Sequence, residues 1–137
     1  MTDILQQRLQ KLRDALLALH KTLIDSERES YEKTGATIKS PNHFLQLLMN
    51  DPWFVWLQPL SQLIVAMDEA LQSKKPVADA EGEALIKQAK LLLVASEEGT
   101  GFANHYFEAL QRDPHIVMAH SDAAKYFNPR KADAPKE

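Results

Sequence analysis

The residues of this sequence best suited to metal or cofactor chemistry are its five histidines, His20, His43, His105, His115 and His120. A metal site in a helical bundle needs two ligands on one helix face, as in Glu-x-x-His or His-x-x-x-His. Neither spacing occurs in the sequence. His105 and Glu108 are three residues apart and share a face, but no second pair joins them. The sequence therefore predicts no metal site.

A haem group would need only one or two histidines in an apolar pocket. His43 next to Phe44, and His105 next to Tyr106 and Phe107, fit this requirement, although the chain has no Cys-x-x-Cys-His attachment sequence. His43 and His105 are therefore candidate ligand-binding residues. A cofactor- or metal-binding helical protein of the haem type, with or without enzyme activity, is the alternative interpretation. No cofactor is predicted.

Residues suited to nucleophilic catalysis are lacking. The chain has no cysteine, no Gly-x-Ser-x-Gly and no phosphate-binding glycine loop beyond Gly99-Thr100-Gly101. The neighbouring acids Asp68 and Glu69 point in different directions on a helix. Asp68 lies at the edge of an apolar stripe, where we expect a surface carboxylate or a salt bridge. We predict no catalytic residue.

Three aromatic residues, Trp53, Phe54 and Trp56, allow two interpretations. They could anchor the core beneath the first helix, or they could form an exposed patch for a partner or an apolar ligand, since tryptophan is enriched in binding hot spots. Trp53 and Trp56 can share one helix face, while Phe54 and Val55 lie on others. A helix that is apolar nearly all round needs a cover, and a second subunit would provide one.

These aromatic residues belong to the strongest apolar stripe of the chain, residues 51–71. Asp51-Pro52 is a helix start signal, because the carboxylate caps free amides and proline suits the first turn. Pro59 predicts a kink, or a break into two short helices near Gln58. We favour the kink because the apolar stripe continues past it. Gln58 and Pro59 join the candidate binding residues, because a kink frees a backbone carbonyl.

A long first helix is predicted from about Thr2 to Lys33, with Gly35 as its C-terminal cap. It carries a heptad seam made only of leucine: Leu5, Leu9, Leu12, Leu16, Leu19 and Leu23. Such a seam serves packing within one chain and packing between chains equally well. Beyond Leu23 the seam meets Ser26 and Ser30, so this helix either frays there or extends past its partner.

The remaining elements are also helical. Ser40 should start a helix that buries four apolar residues: Phe44, Leu45, Leu47 and Leu48. The predicted helices besides the two already described span Pro41 to Met49, Ala80 to Glu97 with Asp79 as a possible cap, Phe102 to Arg112, and His115 to Tyr126 with a possible second cap at His120-Ser121-Asp122. The prediction is an all-α, single-domain bundle of five or six helices over residues 1–127, with a disordered tail over residues 128–137.

Composition limits the function classes. The net charge is −3 with both signs interspersed, so no basic face for nucleic acid is expected. The longest uninterrupted apolar runs are five residues, such as 91–95, which excludes a membrane-spanning helix. The absence of cysteine fits a reducing compartment, and we expect a cytoplasmic protein.

These patterns favour a non-enzymatic helical interaction or regulatory module. We expect it to be homo-oligomeric and to bind a protein partner or a small apolar ligand. The stretch around Trp53, Phe54 and Trp56 is the predicted binding region.

Overall fold

The computed structural model describes residues 1–129, which form six α-helices and one short 3-10 helix. In chain order the elements are α1 (Asp3–Lys33), α2 (Pro41–Asn50), the 3-10 helix (Val55–Leu57), α3 (Gln58–Leu71), α4 (Asp79–Leu92), α5 (Phe102–Arg112) and α6 (Pro114–Ala124). No strand occurs in this range. The predicted all-α bundle with a long first helix is confirmed.

Helix α1 is the element around which the others pack. All six leucines of the predicted seam are buried, and they contact α3, α4 and α6 of the same chain. The Thr2 hydroxyl accepts a hydrogen bond from the Leu5 amide, which caps the start of the helix. The leucine seam therefore forms the core of one chain.

The helix does not fray beyond Leu23, because the end of α5 holds it. The guanidinium of Arg112 donates from Nε to Ser26 Oγ at 3.1 Å and from Nη2 to Glu27 Oε1 at 2.7 Å. Ser26 and Glu27 are buried at this contact. The helix ends at Lys33, as predicted, and Gly35 follows the cap residue Thr34 with a φ of +93°, which is favourable only for glycine.

The structure corrects the predicted proline-kinked central helix. Asp51 ends α2, and its carboxylate accepts a hydrogen bond from the Trp53 amide at 2.9 Å. After this turn the 3-10 helix leads into α3, which begins at Gln58 with Pro59 in its first turn. Proline is favourable there because a first-turn amide has no partner within the helix. In a helix interior, proline would remove a hydrogen bond. The single helix predicted here is therefore replaced by a 3-10 helix and an α-helix that meet near Gln58.

The bounds of α5 and α2 agree closely with those predicted, whereas α4 is shorter than predicted. It ends at Leu92 and not at Glu97, because the following loop turns toward α5, where the Ser96 amide donates to the Ala103 carbonyl at 3.1 Å. The predicted cap at Asp79 is wrong, since Ala78 occupies that position. Helix α6 runs through His120-Ser121-Asp122 without a second cap and ends at Ala124.

Arg8 connects α1 to the end of the described chain. It donates from Nε to the Tyr126 carbonyl at 2.9 Å and from Nη2 to the Phe127 carbonyl at 2.8 Å, and Nη1 lies 3.2 Å from Glu83 Oε1. Asn128 accepts a hydrogen bond from Lys90. Residues 130–137 of the predicted tail lie outside the described residues.

Candidate functional site

The three aromatic residues of the predicted binding region lie at different depths. Phe54 is fully buried, with its ring centroid 5.2 Å from Tyr31 and 5.6 Å from Phe44. Trp56 is also buried, while Trp53 keeps 38% of its surface exposed. The core-anchor interpretation therefore holds for Phe54 and Trp56. Phe54 has no exposed surface in the described chain, and its binding role stays an untested prediction.

Four of the predicted site residues line one shallow groove that is open to solvent: Trp56, Gln58, Pro59 and His105. The imidazole of His105 stacks on the Trp56 indole, with ring centroids 5.2 Å apart and an interplanar angle of 17°. Phe102 contacts the same indole at 5.3 Å. The groove forms because the first turns of α5 pack beside the 3-10 helix. This brings together residues that are far apart in the sequence.

Gln58 has a structural task at the edge of this groove. Its side-chain amide donates to the Met49 carbonyl at 2.9 Å, which ties the end of α2 to the start of α3. The glutamine thus satisfies a carbonyl at the end of α2, and not one that a kink at Pro59 would free. His43 does not line the groove: its Nδ1 accepts from the Lys39 amide at 3.0 Å, in the first turn of α2.

Helix α2 packs with one side toward the rest of the bundle, and none of its residues is fully buried. The Phe44 ring contacts Phe54 and lies 4.8 Å below the guanidinium carbon of Arg28. Leu45 and Met49, one turn apart on the outer side, are 51% and 54% exposed. Phe44, Leu47 and Leu48 are only half-buried, and the predicted burial of Leu45 is wrong, because α2 packs mainly against the 3-10 helix.

Charged side chains are sparse in the segment that forms the outer surface of this region. Between Lys39 and Asp68 the only charged residue is Asp51, whose carboxylate is bonded to a backbone amide. We define the charge-free face by eight exposed residues of this segment: Leu45, Met49, Pro52, Trp53, Val55, Pro59, Gln62 and Val65. Sequence reasoning missed this surface, although the absence of charge from so long a segment was a readable signal.

A second polar feature lies in the core beside α5. The Tyr106 hydroxyl is 2.6 Å from His120 Nδ1, and Tyr106 is fully buried. Burial raises the pKa of Tyr106 well above its usual range and lowers the pKa of His120. Both groups are therefore neutral at neutral pH, and we assign the phenol as the donor. The pair satisfies two polar groups within the core.

The remaining side chains that could have had a chemical role do not form a catalytic or metal-binding group in the described chain. Asp68 Oδ1 lies 3.3 Å from Arg13 Nη1, which confirms the predicted salt bridge. Within residues 1–129, no three or more histidine, aspartate or glutamate side chains are grouped so that they could hold a metal ion. No helix of the described chain is long and apolar enough to cross a membrane.

Comparison with known proteins adds no functional information. No protein family matches the chain, and neither a curated protein nor a solved structure shows significant similarity to it. Function is therefore inferred from the charge-free face and the groove lined by Trp56 and His105.

Proposed function

We propose that this protein is a non-enzymatic interaction module that docks an apolar protein surface on its charge-free face. The observation that supports this is the exposure of Leu45, Met49, Trp53 and Val55 in a segment whose only charged residue is Asp51. The centres of protein interfaces are depleted in charged residues and enriched in aromatic residues and methionine. The composition of this face matches that pattern.

Helix α2 supplies a second reason for a covering partner. It has ten residues, and isolated helices of this length are marginally stable in water. Most helical stability in proteins comes from packing an apolar side against other elements. A partner that covered Leu45 and Met49 would supply the packing that the outer side of α2 lacks.

The shape of the groove favours a protein partner over a small apolar ligand. Sites for small molecules are concave and typically enclose about 70–90% of the ligand surface. The groove beside Trp56 and His105 is shallow, so a small ligand there would keep much of its surface in water. A helix or another protein surface could cover the groove and α2 together. We place this interaction in the cytoplasm, in keeping with the absence of cysteine.

Native mass spectrometry of protein purified without added cofactors is the first test. We expect masses that are whole multiples of the chain mass of 15.5 kDa. A reproducible additional mass of a haem, a metal or a lipid would instead favour the cofactor-binding alternative and would direct attention to His43 and His105.

A second test measures the docking surface directly. A displayed library of helical peptides would be selected for binding to the purified protein. We expect the selected peptides to carry an uncharged apolar side, and to bind the Met49→Glu variant at least about tenfold more weakly, because the new carboxylate would lose its water. The matched control is Leu91→Glu, at a position on α4 that is 63% exposed and outside the charge-free face.

Peptides that bind both variants equally well would contradict the proposal. So would a library that yields no binder at all. Binding that is lost only in the Leu91→Glu variant would place the docking surface on α4.

A further inference from the structure

We propose that a cavity at the first turns of α1 binds a small phosphate monoester that carries an apolar group. The cavity has a volume of about 50 Å³ and lies between α1 and the segment that follows α6. It shares no residue with the charge-free face, so this site is separate from the proposed docking surface. Its lining consists of seven residues: Ile4, Gln7, Arg8, Lys11, Lys125, Tyr126 and Asn128.

The two walls of the cavity are fixed by the fold. Ile4, Gln7, Arg8 and Lys11 are three or four residues apart along α1, so they share one side of the helix. The other wall is the chain after α6, which buried Arg8 holds in place through the carbonyls described above. The cavity is therefore preformed, as binding sites for small molecules usually are.

The charged side chains that line the cavity are all basic: Arg8, Lys11 and Lys125. They occur together although the chain as a whole has a net charge of −3. Glu83 lies 3.2 Å from Arg8 and offsets its charge, and Asp122 lies 3.2 Å from Lys125. Both side chains of the second pair are exposed, where ion pairs contribute little, so Lys125 can turn toward a ligand. The cavity thus favours an anion.

The number of donors favours a phosphate over a carboxylate. The side-chain amides of Gln7 and Asn128 line the cavity together with the lysines. Lys90 donates to Asn128 Oδ1 at 3.3 Å, which leaves the amide nitrogen of Asn128 to donate to a ligand. A phosphate monoester has a charge of about −1.5 to −2 at neutral pH and three acceptor oxygens. It can therefore accept hydrogen bonds from both walls.

The rest of the lining favours an apolar substituent on the phosphate. A single water needs about 10–15 Å³ of such space, so the cavity has room for a group of phosphate size. Ile4 and Tyr126 add apolar surface beside it, and Ile4 is 54% exposed. An aromatic or aliphatic group on the phosphate would cover this surface, whereas inorganic phosphate would leave it in water.

Isothermal titration calorimetry with three anions tests the class of ligand. We expect phenyl phosphate to bind at least about tenfold more tightly than inorganic phosphate, because its ring covers Ile4 and Tyr126. Benzoate carries the same ring on a carboxylate and should bind at least about tenfold more weakly than phenyl phosphate. Benzoate that binds as tightly as phenyl phosphate would contradict the choice of phosphate. If none of the three anions binds, the site itself is wrong.

A pair of lysine substitutions tests the position of the site. Lys11→Gln removes one charge and keeps a residue that favours helix, so the fold should be retained. We expect at least about tenfold weaker binding of phenyl phosphate. Lys21→Gln is the matched control, at an exposed position of α1 outside the cavity. An equal loss in both variants would mean that the anion is attracted only by overall charge, and would overturn the site.

Nuclear magnetic resonance of nitrogen-labelled protein locates the bound anion. The side-chain amide signals of Gln7 and Asn128 should shift when phenyl phosphate is added, whereas the signal of Gln58, at the other groove, should not. Shifts at Gln58 alone would overturn the assignment. The Met49→Glu variant, which tests the docking surface, should bind phenyl phosphate as the natural protein does. The two proposals can therefore fail separately.

Discussion

Two polar contacts at the edge of the core each join side chains from different helices. The Tyr106 hydroxyl meets His120, and the Arg112 guanidinium meets Ser26 and Glu27. An unpaired buried polar group costs about 1–3 kcal/mol, so each contact removes a penalty that folding would otherwise incur. At this scale His120 acts as a hydrogen-bonding partner of Tyr106, and its lowered pKa makes the stability of the protein depend on pH.

Acidification should destabilise the protein through His120. Burial lowers its pKa in the folded state, whereas the unfolded state keeps a value near about 6.5. The unfolded chain therefore binds the proton first as pH falls. The stability contribution is complete above about 6.5 and decreases as pH falls toward the folded-state pKa.

Urea unfolding near neutral pH and at mildly acidic pH measures this effect, with His120→Gln as the comparison. The variant should lose less stability on acidification than the natural protein. The variant should still show the loss of stability on acidification that is due to His20, because burial also lowers the pKa of His20. An equal loss in both proteins would show that His120 titrates normally in the folded state.

The leucine seam allows a matched pair of substitutions at neighbouring positions. Leu16→Ala removes a fully buried side chain and should lower the free energy of unfolding by about 2–5 kcal/mol. Leu17 is 41% exposed, so Leu17→Ala should cost less than about 1 kcal/mol. Urea unfolding of both variants measures the difference. Similar costs at the two positions would contradict the orientation of α1.

At the scale of elements, helices with strong end signals were predictable from the sequence. Helix α5 has its predicted bounds, and α2 begins at Pro41 after the Ser40 cap. The start of α3 at Gln58 could not be told apart from a kink by sequence, because an apolar stripe fits both a kinked helix and a first turn that contains proline. The end of α4 depends on a contact with Ala103, which lies in another helix and leaves no local signal.

The candidate site was predictable only in part, for a related reason. Trp56, Gln58, Pro59 and His105 were individually notable in the sequence, but they meet only because α5 packs beside the 3-10 helix. An apolar pattern also does not reveal which apolar residues receive a partner. Leu45 illustrates this, since it fits the helix pattern of α2 and yet remains exposed.

Helix α2 should open independently of the bundle when its cap is removed. The Ser40 hydroxyl accepts from the His43 amide at 3.0 Å, and Ser40→Ala should cost about 1 kcal/mol of helix stability. Because α2 makes few contacts with the bundle, we expect a loss of hydrogen-exchange protection confined to α2. Ser40→Asp keeps an acceptor and should restore protection. Equal acceleration in α1 would mean that α2 unfolds only with the whole protein.

On the scale of the whole molecule, Arg8 joins three parts of the chain that are distant in sequence. Its side chain is 9% exposed and links α1 to Glu83 of α4 and to the carbonyls that follow α6. Hydrogen bonds to charged groups contribute about 1.5–3 kcal/mol each, and more is lost when a buried partner stays unpaired. This one residue therefore helps to keep the end of the described chain on the bundle.

Replacement of Arg8 by methionine should lower the free energy of unfolding by about 2–4 kcal/mol, because two backbone carbonyls lose their donor. Lys33→Met is the control, since the Lys33 side chain is 74% exposed and its ion pair with Glu29 lies at the surface, where such pairs contribute less than about 1 kcal/mol. Chemical denaturation of both variants provides the measurement. Equal and small effects would indicate that the chain end is held by apolar packing alone.

The two tryptophans give the protein its own optical reporters. Trp53 is 38% exposed on the charge-free face, whereas Trp56 is 8% exposed and stacked on His105. A variant with Trp56 replaced by phenylalanine would emit from Trp53 alone, and its emission would move to shorter wavelength when a partner excludes water from that indole. Occupancy of the docking surface can therefore be followed by fluorescence without a label.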